Sequence, residues 1–104
     1  MSRPALVNVM ATAAEKASRR LLRDFGEVEQ LQVSRKGPAD FVSLADKRAE
    51  KTIFYELSEA RPKWGFVLEE SGTYKPAEGT NARWIVDPLD GTTNFLHGLP
   101  HFCI

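Results

Sequence analysis

Two stretches of the chain repeat their apolar residues every three or four positions, which is the spacing of one face of an α-helix. The first covers about residues 3–24 and the second about residues 44–60. Gly26 follows the first stretch and Pro62 follows the second, and both residue types are common just after helices. We therefore predict two amphipathic helices, the first packing closely through its alanines. Their apolar positions are Leu6, Met10, Ala13, Ala14, Ala17 and Leu21, then Ala45, Ala49, Ile53, Leu57 and Ala60.

The remaining apolar residues occur in short runs, as in β-strands. The segment between the helices predicts two strands around a turn at residues 36–38. Residues 66–68 and 84–86 predict two further strands, and residues 73–82 between them predict a polar loop. The chain has no repeats or evident linkers, so residues 1–104 are expected to form a single α+β unit. The apolar residues of the first two strands are Val28, Leu31 and Val33, then Phe41 and Val42.

Both of the later strands end in acidic residues. Glu69 and Glu70 follow the first, and Asp87 and Asp90 follow the second. If the two strands lie side by side in parallel, these four carboxylates gather at one edge of the sheet. Crowded carboxylates repel one another unless cations lie between them, and Mg²⁺ prefers hard oxygen ligands. The sequence therefore predicts a magnesium site at this edge.

The second acidic segment, WIVDPLDGTTNF at residues 84–95, has further features of such a site. Pro88 has no N–H to donate, so the strand must stop there. The chain can then turn so that Asp87, the carbonyl of Leu89 and Asp90 face one point.

The residues after this turn favour an anion. Gly91 lets the backbone approach a ligand closely, and residues 92–94 are expected to begin a helix. The free N–H groups of a helix start bind phosphate oxygens. Metal ligands followed directly by such a helix start are suited to the hydrolysis of a phosphate ester.

Other interpretations compete with this one. Asp-Pro-Leu-Asp-Gly also makes a good turn without any ligand. An EF-hand calcium loop is excluded, because its acidic residues alternate and its twelfth residue, Gly98 here, is a glutamate. In haloacid dehalogenase-type phosphatases the two aspartates are two residues apart rather than three, so that family stays a weaker alternative. Glu69 and Glu70 could be solvated loop charges. Ser43 and Asp46 have the spacing of a helix-capping box.

Composition narrows the class of protein. An apolar fraction of 42% and a charged fraction of 27% are those of a globular, soluble protein. Fourteen basic and fourteen acidic residues balance, so we expect neither membrane association nor direct nucleic-acid binding. Cys103 is the only cysteine, which excludes an internal disulfide and fits the cytoplasm. The apolar end at residues 102–104 is typical of a strand that continues, so we expect the N-terminal portion of a longer phosphatase domain.

Three segments of the chain resemble, in order, signature segments of the inositol monophosphatase family. They are DFVSLAD, FVLEES and WIVDPLDGTTNF. The resemblance implies an αβαβα layered fold, of which this chain would be the N-terminal part. It also implies a dimer when full length, dependence on two or three Mg²⁺ ions, and inhibition by lithium.

The resemblance also assigns roles to individual residues. The metal ligands would be Glu69, Asp87, Asp90 and the backbone carbonyl of Leu89. The backbone amides of Gly91 and Thr92 would contact the substrate phosphate. Thr92 and Asp46 would polarise the attacking water, which sits on a metal, and Glu70 would lie behind the ligands or bind a further ion. Leu68 stands where the family usually has glycine.

These observations predict magnesium-dependent hydrolysis of a phosphate monoester, with inositol monophosphate as the expected substrate. Related fructose-bisphosphatase and nucleotide 3′-phosphatase activities stay open. A non-catalytic regulatory protein on the same scaffold is the alternative from a different class. The 104-residue chain by itself is expected to be inactive.

Overall fold

The computed structural model describes residues 4–31 and 37–104. Two long helices pack against each other: α1 at Ala5–Leu31 and α2 at Pro38–Ala60. Both predicted helices are therefore confirmed, and both are longer than their apolar pattern predicts. No helix in these ranges has an apolar stretch of the length needed to cross a membrane.

The sheet has three short strands: β1 at Gly65–Leu68, β2 at Gly72–Tyr74 and β3 at Arg83–Val86. Their order is β2-β1-β3, with β1 antiparallel to β2 and parallel to β3. Leu68 lies opposite Val86, so β1 and β3 end at the same edge. The predicted parallel pairing is confirmed. A strand at β2 was not predicted, since its three residues are exposed and lack an apolar pattern.

One face of the sheet packs on the helices and the other is open. Leu68 and Val86 point toward the helices and are buried, whereas Ile85 is 84% exposed. The rings of Trp64 and Trp84 stack at 4.7 Å at the other end of the strands. The buried apolar residues of the helices are Ala13, Ala17, Leu21 and Val28, then Val42, Ala45, Ala49, Ile53 and Leu57.

The predicted strand at Val28 and Leu31 is wrong, because α1 continues to Leu31. A glycine inside a helix costs about 1 kcal/mol relative to alanine, so Gly26 favours the end of the helix at that position. Packing offsets this cost, since Val28 is fully buried and Phe25 contacts the rings of two aromatic residues further along the chain. Val33 and Lys36, also part of this prediction, lie outside the described residues.

The predicted strand at Phe41 and Val42 is wrong as well, because both residues belong to α2. Gly37 caps this helix with a φ of 72°, and Pro38 occupies its first turn, where a missing N–H is harmless. Val42 is buried and extends the apolar face of α2 by one turn toward the N-terminus.

At the end of the chain, a short α3 spans Thr92–Leu96, as the turn sequence predicts. Phe102 packs against Phe25 and Phe95. Cys103 forms an isolated antiparallel bridge with Asp90. The strand expected to begin at residues 102–104 therefore consists of a single bridge at Cys103. Phe102 is half-buried.

Candidate active site

The paired ends of β1 and β3 place the first two carboxylates. Glu69 follows Leu68, Asp87 follows Val86, and the N–H of Glu69 donates to the carbonyl of Val86 at 3.2 Å. Side chains alternate along a strand, so the burial of Leu68 directs Glu69 to the exposed side. Leu68 thus packs into the core.

The carboxyl groups of these two strand ends lie within hydrogen-bonding range of each other. A hydrogen bond to Asp87, followed by the negative charge of Asp87, raises the pKa of Glu69 to about 7. The charges of Glu70 and Asp90 act in the same direction. Glu69 and Asp87 therefore lie together at this edge, and Glu70 and Asp90 are near enough for their charges to act on Glu69.

Asp46 brings a fifth carboxylate from α2. Its predicted capping role with Ser43 is wrong, because α2 begins before Ser43 and both residues lie inside the helix. Asp46 is buried, with only 6% of its surface exposed. Burial, followed by the charge of Glu70 and a hydrogen bond to it, raises the pKa of Asp46 to about 7. The charges of Glu69 and Asp87 add to the effect.

We call these five residues the acidic cluster: Asp46, Glu69, Glu70, Asp87 and Asp90. None of the ion pairs found within residues 4–31 and 37–104 reaches it. In addition, Oδ1 of Asp46 is buried and has no hydrogen-bond partner among the residues described. Negative charge without a counter-charge therefore accumulates at this edge.

The donor chemistry of the acidic cluster fits Mg²⁺, which takes carboxylate and carbonyl oxygens and keeps several waters. In the described part of the chain, however, no three acidic, histidine or cysteine side chains are already grouped to hold a metal ion. The carboxyl groups face one another in pairs, Glu69 with Asp87 and Asp46 with Glu70. Side-chain rotation is therefore needed for them to converge on one cation.

The turn after β3 is held by two side-chain hydrogen bonds. Oδ1 of Asp87 accepts from the N–H of Leu89 at 3.1 Å. The hydroxyl of Thr92 donates to the carbonyl of Leu89 at 2.9 Å. A carbonyl oxygen has two lone pairs, so this one keeps an acceptor site beside Thr92.

Gly91 is required by the packing of the chain end. Its φ is 89°, and a Cβ there would lie 2.8 Å from the carbonyl oxygen of His101. Asp90 and Cys103 exchange backbone hydrogen bonds of 2.8 and 3.0 Å beside it, and the amide of Asn94 donates to His101. The sequence predicts that the backbone at position 91 needs glycine, but it does not show that His101 lies this close. Gly91 also caps α3, whose first N–H groups have no partner within the helix.

One residue near the acidic cluster has no counterpart in the predictions. Glu50 is 2% exposed and accepts hydrogen bonds from the N–H of Glu70, at 2.8 Å, and from the hydroxyl of Ser71. It lies one helical turn after Asp46, so both carboxylates share a face of α2. The four-residue spacing of Asp46 and Glu50 within a predicted helix is the sequence feature that could have identified Glu50.

Comparisons with known proteins agree with this geometry. The model of the inositol monophosphatase family matches residues 4–104. An inositol-1-monophosphatase of Mesorhizobium japonicum is 62% identical over 104 residues, which are 100% of this chain and 39% of that protein. A Nus factor SuhB of Xylella fastidiosa is 43% identical over 105 residues, covering 100% of this chain and 36% of its own length.

A solved structure gives the same result for the fold. The native crystal structure of extragenic suppressor protein suhB from Bartonella henselae superposes with a TM-score of 0.78 at 64% identity. The match covers 95% of this chain and 38% of that one, so the chain spans well under half the length of these relatives. The chain belongs to the inositol monophosphatase family, and its two helices and mixed sheet are the N-terminal part of that family's α+β fold.

Proposed function

We propose that the protein hydrolyses a phosphate monoester, inositol monophosphate, to inositol and inorganic phosphate with the help of magnesium. The observation that supports this most strongly is the acidic cluster, which makes no ion pair with a basic residue of the described ranges and lies beside the start of α3. The relatives named inositol-1-monophosphatase support the same reaction.

Four groups are proposed to hold two or three Mg²⁺ ions: the carboxylates of Glu69, Asp87 and Asp90 and the carbonyl of Leu89. Glu70 is proposed to orient these ligands or to bind a further ion. Bound Mg²⁺ supplies positive charge for the phosphate oxygens and for the departing alcohol oxygen. The amides of Gly91 and Thr92, at the start of α3, are proposed to bind the phosphate group.

Asp46 and Thr92 are proposed to act on the attacking water. Asp46 is buried and its Oδ1 has no hydrogen-bond partner among the described residues, so this oxygen can accept a hydrogen bond or a proton from the water. The hydroxyl of Thr92 can accept a hydrogen bond from the same water while donating to Leu89. The water oxygen bonds to phosphorus and gives a proton to Asp46, the bond to the alcohol oxygen breaks, and that oxygen takes up a proton from solvent as the alcohol leaves. No phosphorylated protein intermediate is formed.

The rest of the proposal concerns the whole protein. The relatives are more than twice as long, so we propose that this chain is the N-terminal portion of a phosphatase domain that forms a homodimer. Later residues are proposed to recognise the alcohol, which leaves fructose bisphosphate and nucleotide 3′-phosphates as alternative substrates. The 104-residue chain alone is proposed to be inactive and prone to associate, since the open sheet face exposes Ile85 and Val67.

The test is phosphate release by the complete protein from inositol monophosphate, fructose bisphosphate and a nucleotide 3′-phosphate over a range of Mg²⁺ concentrations. We expect inositol monophosphate to be preferred and the activity to disappear in EDTA. Asp90→Asn should abolish activity, whereas Glu78→Gln, an exposed change at the opposite end of the sheet, should not. Activity in EDTA, or an active Asp90→Asn variant, would contradict the proposal.

A second candidate function, binding of an acidic partner protein, is favoured by a different surface. A groove between α1 and α2 of about 640 Å³ carries six basic side chains, although the chain as a whole is neutral. We call it the basic groove; its basic residues are Lys16, Arg19, Arg20, Arg23, Arg48 and Lys51. Three of them make ion pairs, with Glu56 or Asp24, so the groove retains net positive charge. Relatives named Nus factor SuhB make a regulatory role a reasonable alternative to catalysis.

This candidate is tested with a labelled polyglutamate peptide and, for comparison, a single-stranded RNA of equal charge. We expect the peptide to bind the complete protein and to be released by salt, because such binding is electrostatic. Arg19→Gln combined with Arg23→Gln should weaken binding without affecting phosphatase activity. Equal binding by the double variant would exclude the groove, and preference for RNA would replace the peptide partner with a nucleic acid.

A further inference from the structure

Glu50 is a buried carboxylate outside the segments that resemble the family signatures. It is 2% exposed and lies on the side of α2 that faces the turn between β1 and β2. Its Oε1 accepts a hydrogen bond from the backbone N–H of Glu70 at 2.8 Å. Its Oε2 accepts one from the hydroxyl of Ser71. Both oxygens therefore bind the same turn.

A buried carboxylate is expensive to desolvate unless it is hydrogen-bonded, and an apolar residue would fill this position at lower cost. The ion pairs in the described part of the chain do not include Glu50. Its contacts are instead to a backbone amide and a hydroxyl, groups that fix the path of a chain. This points to a role in geometry rather than in charge compensation.

The turn that Glu50 holds joins two strands that pair with each other, and the ring of Tyr74 in β2 lies 5.4 Å from that of Phe54 on α2. Residues 69–74, which include the whole of β2, are exposed. The ladder with β3 reaches only as far as the N–H of Glu69, which donates to Val86. At residues 70 and 71 themselves, the two bonds to Glu50 connect the turn to the helical layer.

The same helix contacts Glu70 at two places. Glu50 binds its backbone amide, and Asp46, one turn earlier on α2, hydrogen-bonds with its carboxyl group. We propose that Glu50 is a positioning residue: it fixes the β1–β2 turn against α2 and so sets the spacing between the Glu69–Glu70 pair and Asp46. This inference rests on the proposed metal-dependent function of the acidic cluster.

The first test needs no metal. Hydrogen exchange in the complete protein in EDTA should show faster exchange of the Glu70 amide in Glu50→Ala than in the wild type. Glu50→Gln keeps an oxygen acceptor for the Glu70 amide and should restore most of the protection. Glu59→Gln, an exposed glutamate on the same helix, is the matched control and should change nothing. Unchanged exchange in Glu50→Ala would overturn the inference.

The second test is the Mg²⁺ dissociation constant by calorimetry, with the melting temperature of each variant. Loss of a group that orients metal ligands commonly weakens metal binding about 10- to 100-fold, and we expect Glu50→Ala to fall in this range. Ser71→Ala removes only one of the two bonds at an exposed site, so it should fold and show a smaller loss. A lower melting temperature with unchanged Mg²⁺ affinity would mean that Glu50 is merely structural, and would overturn the inference.

Glu69→Gln separates this inference from the proposed function. If Glu69→Gln weakens Mg²⁺ binding and Glu50→Ala does not, only the role of Glu50 is refuted. If Glu69→Gln leaves Mg²⁺ binding unchanged, the proposed metal site is refuted, and the role of Glu50 with it.

Discussion

Each of the two long helices buries one aspartate, and the two have opposite surroundings. Asp24 on α1 is 1% exposed and accepts bonds from Arg20 at 3.0 Å and Arg48 at 3.4 Å. Asp46 on α2 is 6% exposed, and the charges that act on it are all carboxylates. One buried charge is compensated by the chain itself, and the other is surrounded by charges of its own sign.

The difference indicates what each site requires from solution. A buried charge is tolerated when it is paired, and the guanidinium groups around Asp24 complete such a pairing. Asp46 and its neighbours have no such pairing with the basic residues that the structure describes, several of which are on the same helices. A fold that neutralises Asp24 and leaves Asp46 unpaired is suited to receive a cation at the second place.

The contrast between Asp24 and Asp46 requires that the acidic cluster bind a cation. We expect Asp87→Asn to abolish magnesium-dependent phosphatase activity in the complete protein while leaving the fold intact. Removing one negative charge weakens cation binding and eases the repulsion among the remaining carboxylates. Phosphate release and circular dichroism measure the two effects. Asp40→Asn, an exposed change in the first turn of α2, serves as the control. Activity of Asp87→Asn within a few-fold of the wild type would disprove the assignment.

Thr92→Ala sharpens the comparison by removing an uncharged group beside the acidic cluster. Mg²⁺ affinity should persist, because the carboxylates remain, while turnover should fall by about 10²- to 10⁴-fold if the hydroxyl acts on the attacking water. Calorimetry and steady-state kinetics distinguish the two parameters, and Thr93→Ala, also exposed, is the control. Loss of metal affinity in Thr92→Ala would show instead that its bond to Leu89 holds the turn in shape.

The two aspartates should respond to amidation with opposite signs. Asp24→Asn should destabilise the protein by about 1–3 kcal/mol, because charge-assisted bonds to two arginines are lost. Asp46→Asn should stabilise the metal-free protein by about 1–3 kcal/mol at pH 8, because an unfavourable buried charge is removed. Denaturant unfolding in EDTA measures both. A change of the same sign in the free energy of unfolding of both variants would contradict the contrast between the two aspartates.

A pH titration of stability tests the same repulsion without any substitution. Asp46 and Glu69 both have a pKa raised to about 7 in the folded protein, against about 4 when unfolded. The unfolded chain therefore releases these protons first, and the stability of the metal-free protein should fall as pH rises from about 4 to about 7, then level off. Melting temperatures in EDTA should show this fall, and excess Mg²⁺ should suppress it. A stability that rises with pH over this interval in EDTA would contradict the raised values.

Much of the site could be predicted because its signals are local. Glu69 and Asp87 each follow a short apolar run, and Pro88 and Gly91 mark the turn, so strand ends and carboxylates were found together. The parallel pairing of β1 with β3 followed from the chemistry that the carboxylates share. It is the observation that turns two acidic segments into one cluster.

The errors have a common physical origin in contacts between distant residues. Helix α1 passes Gly26 because Phe25 and Val28 pack into the core, which no local pattern reveals. The interaction of Glu50 with the Glu70 amide joins residues 20 positions apart. A helix surface shows that Glu50 is present, but only the folded structure shows that it faces the turn.

The bridge between Asp90 and Cys103 has a consequence for how the site is assembled. It closes a loop of only 13 residues, and loops of this size form within about 10–100 ns at little entropic cost. The turn that carries Asp87 and Asp90 can therefore take shape from its own neighbourhood in the chain. Asp46 and Glu69 join it through contacts between distant parts of the chain, so the acidic cluster combines a locally closed turn with residues whose position depends on the packing of α2 and β1.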